Sequence, residues 1–215
     1  MQKYSWDPKS HYRNEAIAQN YDEERFNSFL GKWGDRKEKR ALVKLLGKVN
    51  DIENVLDAPC GTGRITEVLL RRGYHVMGCD ISEEMMRQAK TKLSKYPNLE
   101  FKQADIFKLP FLDQSFDLVT CVRLFGHFQA EERVVILKEL SRVSNNWIIV
   151  QYFQLSSLVK LKRVVKRMLG LYEGVHHPLT KQQLISEIAQ AGLVEKARSW
   201  ARKYYSEEVF ILLKR

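Results

Sequence analysis

Three aspartates follow strand-like apolar runs in the middle of the chain: Asp57, Asp80 and Asp105. In open α/β sheets, ligands bind beyond the carboxyl ends of the strands, so these carboxylates are expected to meet at one edge of a sheet. Asp80 lies about 20 residues beyond a glycine-rich turn, the spacing at which a carboxylate accepts hydrogen bonds from ribose hydroxyls. The pattern predicts a site for a nucleotide-like ligand.

The glycine-rich turn, Asp57-Ala58-Pro59-Cys60-Gly61-Thr62-Gly63, lies between an apolar run and a segment with helical spacing. A strand, a glycine turn and a helix together place backbone N–H groups around a ligand. A dinucleotide fingerprint requires a third glycine where this chain has Thr66, and no lysine stands where a phosphate-binding loop needs one. On this stretch alone, an adenosine-containing ligand and an ordinary turn without a ligand both remain open.

Alternating β and α patterns from residue 52 onward position these acids. The predicted strands cover 52–57, 75–80, 99–104, 116–122 and 146–153. The predicted helices between them cover 64–72, a segment that Ser82 opens, and 130–143. Repeated units of this kind predict an α/β fold in which helices cover both faces of a parallel sheet.

The C-terminal part follows a different pattern. A helix is predicted over 180–191, and two strands, 193–202 and 208–214, follow it with no helix between them. Because their connection is short, the two strands are expected to form an antiparallel hairpin.

The whole chain, 1–215, is predicted to be a single domain. Its parts are an N-terminal helical cap (1–50), a core (51–153), a basic amphipathic insert (154–178) and a C-terminal helix with a hairpin (179–215). Within the cap, one helix is predicted over 10–30. A second is predicted to begin at Asp35, with Glu38 at the spacing of a capping box.

Several ordered motifs between residues 50 and 150 resemble those of class I S-adenosylmethionine (SAM) dependent methyltransferases. The turn resembles their motif D/E-x-G-x-G-x-G, with Pro59 in place of the first glycine. Leu109-Pro110-Phe111 and Phe116-Asp117-Leu118-Val119 resemble a later segment of the family. The resemblance implies a Rossmann-like, seven-stranded, mostly parallel sheet with one antiparallel strand. It also implies SAM as the methyl donor and S-adenosylhomocysteine as the product.

The resemblance further implies which residues bind SAM. Asp105 and the backbone of Ile106 would contact the adenine, and Tyr21 would close over the cofactor. The full set of implied cofactor-binding residues is Asp57, Ala58, Pro59, Cys60, Gly61, Gly63, Asp80, Ile81, Met85, Asp105, Ile106, Cys121 and Tyr21.

The loop after the fourth strand, 123–128, is expected to face the methyl group and its acceptor. His127 is the candidate base, since an imidazole titrates near neutral pH; the alternative is a histidine that caps or packs in the loop. Arg123 could bind an acidic substrate or pair with Asp117 or Glu131. The candidate substrate-binding residues are Arg123, Phe125, His176 and His177. Alignment and a dry pocket can supply much of the acceleration, so no protein nucleophile or metal is expected.

A basic amphipathic helix is predicted over 155–170. Its apolar face would carry Leu158, Leu161, Val165, Met168 and Leu169, and lysines and arginines cover the other face. Such a helix could bind an anionic membrane or a polyanion, or simply cover the acceptor pocket. The net charge of +10 likewise favours an acidic partner, although it also serves solubility.

The three cysteines do not have the spacing of metal ligands, and no apolar run is suited to a signal peptide or a bilayer span. These features predict a cytoplasmic protein, and peripheral contact with a membrane remains an option. The predicted function is methyl transfer to an oxygen or nitrogen of a small or amphiphilic acceptor, such as a lipid or a quinone. The alternatives are an RNA methyltransferase, a nicotinamide oxidoreductase and a non-catalytic SAM- or membrane-binding protein. Nucleic acid is the less favoured partner, because no RNA-binding appendage is recognised.

Overall fold

The computed structural model describes residues 28–154, 164–165, 168, 179–201 and 208–215. Most of the helix predicted over 10–30 and most of the basic insert lie outside these residues. The described end of that prediction, residues 28–30, instead forms the cap and the start of a helix that runs from Phe29 to Leu46. Within them, no helix is long and apolar enough to cross a membrane.

Seven strands of the described chain form one sheet. They are β1 (Asn54–Asp57), β2 (His75–Asp80), β3 (Leu99–Gln103), β4 (Phe116–Cys121), β5 (Ser144–Phe153), β6 (Val194–Trp200) and β7 (Glu208–Lys214). Their order is β3-β2-β1-β4-β5-β7-β6, and β1 to β5 pair in parallel. Strand β7 runs antiparallel to both β5 and β6, so the predicted hairpin and the mostly parallel sheet are confirmed.

Helices enclose the sheet. They are α1 (Phe29–Leu46), α2 (Thr66–Leu70), α3 (Glu83–Lys92), α4 (Ala130–Val143) and α5 (Lys181–Gln190). The predicted cap of α3 is confirmed, because the hydroxyl of Ser82 accepts from the N–H of Met85. Helix α5 is capped in the same way, by the hydroxyl of Thr180, which accepts from the N–H of Gln183.

The two faces of the sheet bury separate apolar clusters. Neighbouring strand residues point to opposite faces. Accordingly, Val55 packs in a cluster with Leu42 of α1, and Leu56 packs in another with Ile136 of α4. The described chain is therefore a three-layer α/β structure in which the parallel strands β1 to β5 have their carboxyl ends at one edge.

The start of α1 differs from the prediction. The helix begins at Phe29 and not at Asp35, because the hydroxyl of Ser28 caps it by accepting from the N–H of Gly31 at 3.0 Å. Gly34 lies within the helix and does not interrupt it. The carboxylate of Asp35 instead pairs with Lys39 and Arg64.

Candidate active site

An open cavity of about 1010 Å³, its solvent-filled mouth included, lies at the carboxyl edge of the sheet. It is lined by residues 58–62, 79–81, 104–106 and 122–124, together with Arg64, Ile65, Met85, His127 and Phe128. Each of these four ranges follows or ends a parallel strand, as expected for a ligand site in an open α/β sheet.

The two glycines of the turn have different roles. Gly61 lines the cavity with φ +51°, and no atom lies within 4 Å of the place where a Cβ would stand. A side chain there would therefore be strained and would occupy the space next to the cavity. At Gly63, with φ +79°, a Cβ would lie 2.6 Å from Leu93 and 3.1 Å from Ala89. Gly63 thus permits close packing of the turn against α3 and its C-terminal end.

The carboxylate of Asp80 supports the turn from the end of β2. Its Oδ2 accepts from the N–H of Gly61 at 2.8 Å, and its Oδ1 accepts from the N–H of Ser82 at 2.9 Å. Burial raises the pKa of this carboxyl, while those backbone donors oppose the rise. A carboxylate offers about four acceptor positions, so Asp80 retains the capacity to accept from ligand hydroxyls.

Asp57 lies behind the turn and outside the cavity lining. Its two oxygens accept from the hydroxyls of Thr66 at 2.7 Å and Thr120 at 2.8 Å, which ties β1 to α2 and β4. Burial raises the pKa of Asp57 to about 6, against these hydrogen bonds. Its role is therefore to hold the turn, and the implied contact with a cofactor is not supported by its position.

The ends of β2 and β3 form the next part of the wall. The backbone N–H of Ala104 donates to the carbonyl of Asp80 at 3.0 Å, and the Gln103 amide donates to the carbonyl of Ile81 at 3.0 Å. Asp105 begins a tight turn in which its Oδ1 accepts from the N–H of Phe107 at 3.1 Å. Asp105 and Ile81 therefore line the same cavity from adjacent strands.

A buried ion cluster, which we call the Glu38 cluster (Asp35, Glu38, Arg64, Arg123 and Gln151), connects α1 to two walls of the cavity. Arg64 Nη2 lies 2.8 Å from Glu38 Oε2, and Arg123 Nη2 lies 2.7 Å from Glu38 Oε1. The Gln151 amide donates to Glu38 at 3.0 Å and accepts from the N–H of Arg123 at 2.8 Å. These partners secure Arg123 in a left-handed conformation, φ +61°.

This cluster corrects the sequence prediction of the ion-pair partner of Arg123. Arg123 pairs with Glu38 and not with Asp117 or Glu131, because α1 brings the Glu38 carboxylate against the loop after β4. Asp117 instead accepts from the backbone N–H groups of Glu53 and Asn54 at 3.1 and 2.9 Å.

The loop after β4 contains a short 3₁₀ helix, Phe125–His127, which packs on buried side chains. Phe125 is buried and meets Tyr152 edge to face, with ring centroids 4.8 Å apart. The guanidinium of Arg133 donates to the carbonyl of Phe128 and pairs with Glu187 of α5 through contacts of 2.9 and 2.5 Å. The backbone on both sides of His127 is consequently fixed by buried contacts.

The cavity brings together most of the predicted residues. Those in its lining are Ala58, Pro59, Cys60, Gly61, Asp80, Ile81, Met85, Asp105, Ile106, Arg123 and His127. Those outside the lining are Asp57, Gly63, Cys121 and Phe125; Cys121 and Phe125 are buried in the apolar core. Tyr21, His176 and His177 lie outside the described residues. The described side chains include no group of three or more candidate metal ligands.

Sequence reasoning missed Arg64 and Glu38. Arg64 directly follows the second glycine of the turn, and that position was a usable signal for a cation at the cavity. Glu38 gave no such signal, since its spacing from Asp35 indicated a helix cap.

Comparison with known proteins gives a consistent result. A family model described as a methyltransferase domain matches residues 55–146. The chain is 36% identical over 131 residues to demethylmenaquinone methyltransferase of Thermotoga maritima, a match covering 60% of this chain and 54% of that protein. It is 33% identical over 121 residues to malonyl-[acyl-carrier protein] O-methyltransferase of Hamiltonella defensa, covering 55% of this chain and 45% of that protein. The chain thus spans about half the length of these curated relatives.

Solved structures share the fold. Magnesium protoporphyrin IX methyltransferase of Synechocystis, with bound S-adenosylhomocysteine, aligns with a TM-score of 0.78 and 20% identity, covering 96% of this chain and 99% of that chain. A possible histamine N-methyltransferase of Thermotoga maritima aligns with a TM-score of 0.66 and 16% identity, covering 95% of this chain and 98% of that chain. At these identities the likeness concerns the fold alone.

Proposed function

We propose that this chain is a class I SAM-dependent methyltransferase that transfers a methyl group from SAM to an oxygen or nitrogen atom of a small or amphiphilic acceptor. One observation carries the proposal. A single cavity joins Asp80 at the end of β2 and Asp105 after β3 to His127 in the loop after β4. Since β1 lies between β2 and β4, a cofactor held by the acids and an acceptor near the histidine would meet above the glycine turn.

The residues of the cavity fit SAM. Asp80 would accept from the ribose hydroxyls, and the open space beside Gly61 would admit the amino-acid part against the backbone. The adenine would lie between apolar side chains, among them Ile81 and Ile106, with Asp105 accepting from its amino group. When bound, SAM supplies an electrophilic methyl on a sulfonium; as the acceptor bonds to the methyl carbon, the carbon–sulfur bond breaks and its electron pair stays on sulfur.

The acceptor side of the cavity supports a small or amphiphilic substrate. Val122, Leu124 and Phe128 contribute an apolar surface, and Arg123 and His127 supply the polar groups. Apolar walls with a few placed polar groups are typical of small-molecule pockets. A relative named for demethylmenaquinone is compatible with a quinone-like acceptor, and a relative named as a malonyl-[acyl-carrier protein] O-methyltransferase is compatible with methylation at oxygen.

The test is to incubate the full chain with SAM labelled in the methyl group and with fractions of a cell extract. We expect label in a lipid or small-molecule fraction, and much less label with Asp80→Ala at a SAM concentration near the wild-type dissociation constant. Label in RNA would favour the RNA methyltransferase alternative, which the net charge of +10 motivates. A chain that binds neither SAM nor S-adenosylhomocysteine would contradict the proposed function.

His127 is proposed as the base that accepts the proton of the acceptor O–H or N–H group. With the acceptor identified, His127→Gln is expected to lower kcat by roughly 100-fold, the scale of general base catalysis, and to leave SAM affinity unchanged. Steady-state kinetics with titration of SAM separates the two effects. The control is His75→Gln, an exposed histidine at the amino end of β2. A His127→Gln variant with wild-type kcat would remove the base from the mechanism.

We also propose that the basic segment 155–170 contacts anionic membrane, where an amphiphilic acceptor would be found. The three described residues of this segment, Val164, Val165 and Met168, are helical and exposed. We expect the protein to sediment with phosphatidylglycerol vesicles at low salt and to stay in the supernatant at high salt. Phosphatidylcholine vesicles are the control, and an absence of salt-sensitive binding would contradict this contact.

A further inference from the structure

Two cations in the cavity wall share one buried counter-ion. Arg64, after the glycine turn, and Arg123, after β4, both line the cavity and both contact the carboxylate of Glu38. The side chain of Glu38 is 0% exposed, whereas those of Arg64 and Arg123 are 10% and 24% exposed. Glu38 itself does not line the cavity, so it acts on a ligand only through the two arginines and their charge.

The charge of Glu38 is well defined. Burial alone would raise its pKa, but the guanidiniums of Arg64 and Arg123 hold the pKa of this carboxyl below its usual range. The carboxylate is therefore ionised at neutral pH. Because Glu38 is buried, salt screens its negative charge less than it would screen an exposed charge.

This charge matters for the two forms of the cofactor. SAM carries a cationic sulfonium, and its demethylated product has a neutral thioether at the same position. In a variant without the Glu38 carboxylate, the two guanidiniums would lose the negative charge that they share, and the potential in the cavity would become more positive. This change would penalise the cationic cofactor and not the neutral product.

From this arrangement we infer that Glu38 is a positioning residue that sets the preference of the cavity for SAM over S-adenosylhomocysteine. The inference rests on the proposed function, because it assumes that the cavity binds SAM. Helix α1 places one carboxylate against the two arginines, and the net charge of these three groups determines which form of the cofactor binds better.

The experiment measures the dissociation constants of both ligands by calorimetry with the full chain. In Glu38→Gln we expect the ratio of the SAM constant to the S-adenosylhomocysteine constant to rise about tenfold, the effect of one unit charge on the order of 10 Å away at an effective dielectric constant of about 20. Glu38→Asp keeps the charge and is expected to keep the ratio. The double variant Glu38→Gln/Arg123→Gln restores the net charge and is expected to restore the ratio.

A further variant keeps the inference testable if Glu38→Gln does not fold. Arg123→Gln leaves Glu38 paired with Arg64 and is expected to shift the ratio toward SAM. The control is Glu195→Gln, which breaks an ion pair with Arg198 in β6, at the edge of the sheet. The inference would be overturned if Glu38→Gln weakened the binding of both ligands equally, or if Arg123→Gln left the ratio of dissociation constants unchanged. In either case, SAM binding by the wild type would still support the proposed function. A wild-type chain that binds neither ligand would overturn both.

Discussion

Replacement of Asp80 by alanine is expected to weaken SAM binding by roughly 100-fold, because two hydrogen bonds to a charged acceptor contribute about 1.5 kcal/mol each. Asp80 is 7% exposed and lines the cavity at the end of β2. Its loss would also leave the N–H of Gly61, which donates to Asp80 Oδ2 at 2.8 Å, without this acceptor, and would loosen the turn against which the cofactor would lie. Calorimetric titration of the full chain with SAM measures the change.

Two further variants make this result specific. Asp80→Asn keeps the shape and one carbonyl oxygen but places an NH₂ group against a backbone donor, so we expect an affinity between those of the wild type and Asp80→Ala. Asp113→Ala removes an exposed aspartate that pairs with Arg142, and its affinity for SAM should match the wild type. An Asp80→Ala chain that keeps its circular dichroism spectrum and binds SAM with wild-type affinity would refute the ribose assignment.

The parts of the site that sequence patterns predicted are those set by local rules. Strand β2 ends at Asp80 as predicted, and the glycine turn follows β1. Apolar runs and turn residues determine where parallel strands end, and the fold then gathers those ends at one edge. This explains why Asp105 and Ile81, 24 positions apart in the sequence, line one cavity.

The parts that sequence patterns missed depend on distant partners. Strand β1 begins at Asn54 and not at residue 52. The N–H groups of Glu53 and Asn54 donate to the carboxylate of Asp117, which lies far away in the sequence. The spacing of Asp35 and Glu38 is compatible with a helix cap and also with an ion cluster. The ion cluster could not be predicted from this spacing, because it depends on the packing of α1 against the loop that carries Arg123.

The second large effect concerns stability. Arg133 of α4 and Glu187 of α5 form an ion pair whose side chains are 5% and 4% exposed. Arg133→Met should lower the free energy of unfolding by about 3–5 kcal/mol, because the Glu187 carboxylate would be left buried without its cation. Urea unfolding at neutral pH measures this change. Arg198→Met, which breaks the pair with Glu195 between side chains that are each 25% exposed, should cost only about 1 kcal/mol or less.

The double variant Arg133→Met/Glu187→Leu separates the cost of a stranded charge from the contribution of the pair. Apolar side chains of similar size can replace a buried ion pair with little loss, so the double variant should recover most of the stability lost in Arg133→Met. Recovery should be incomplete, because the hydroxyl of Tyr152 and the carbonyl of Phe128 each lose a partner. If the double variant were as unstable as Arg133→Met, the instability would arise from those lost hydrogen bonds and not from the charge of Glu187. The pair would then matter chiefly as a support for the loop that holds His127.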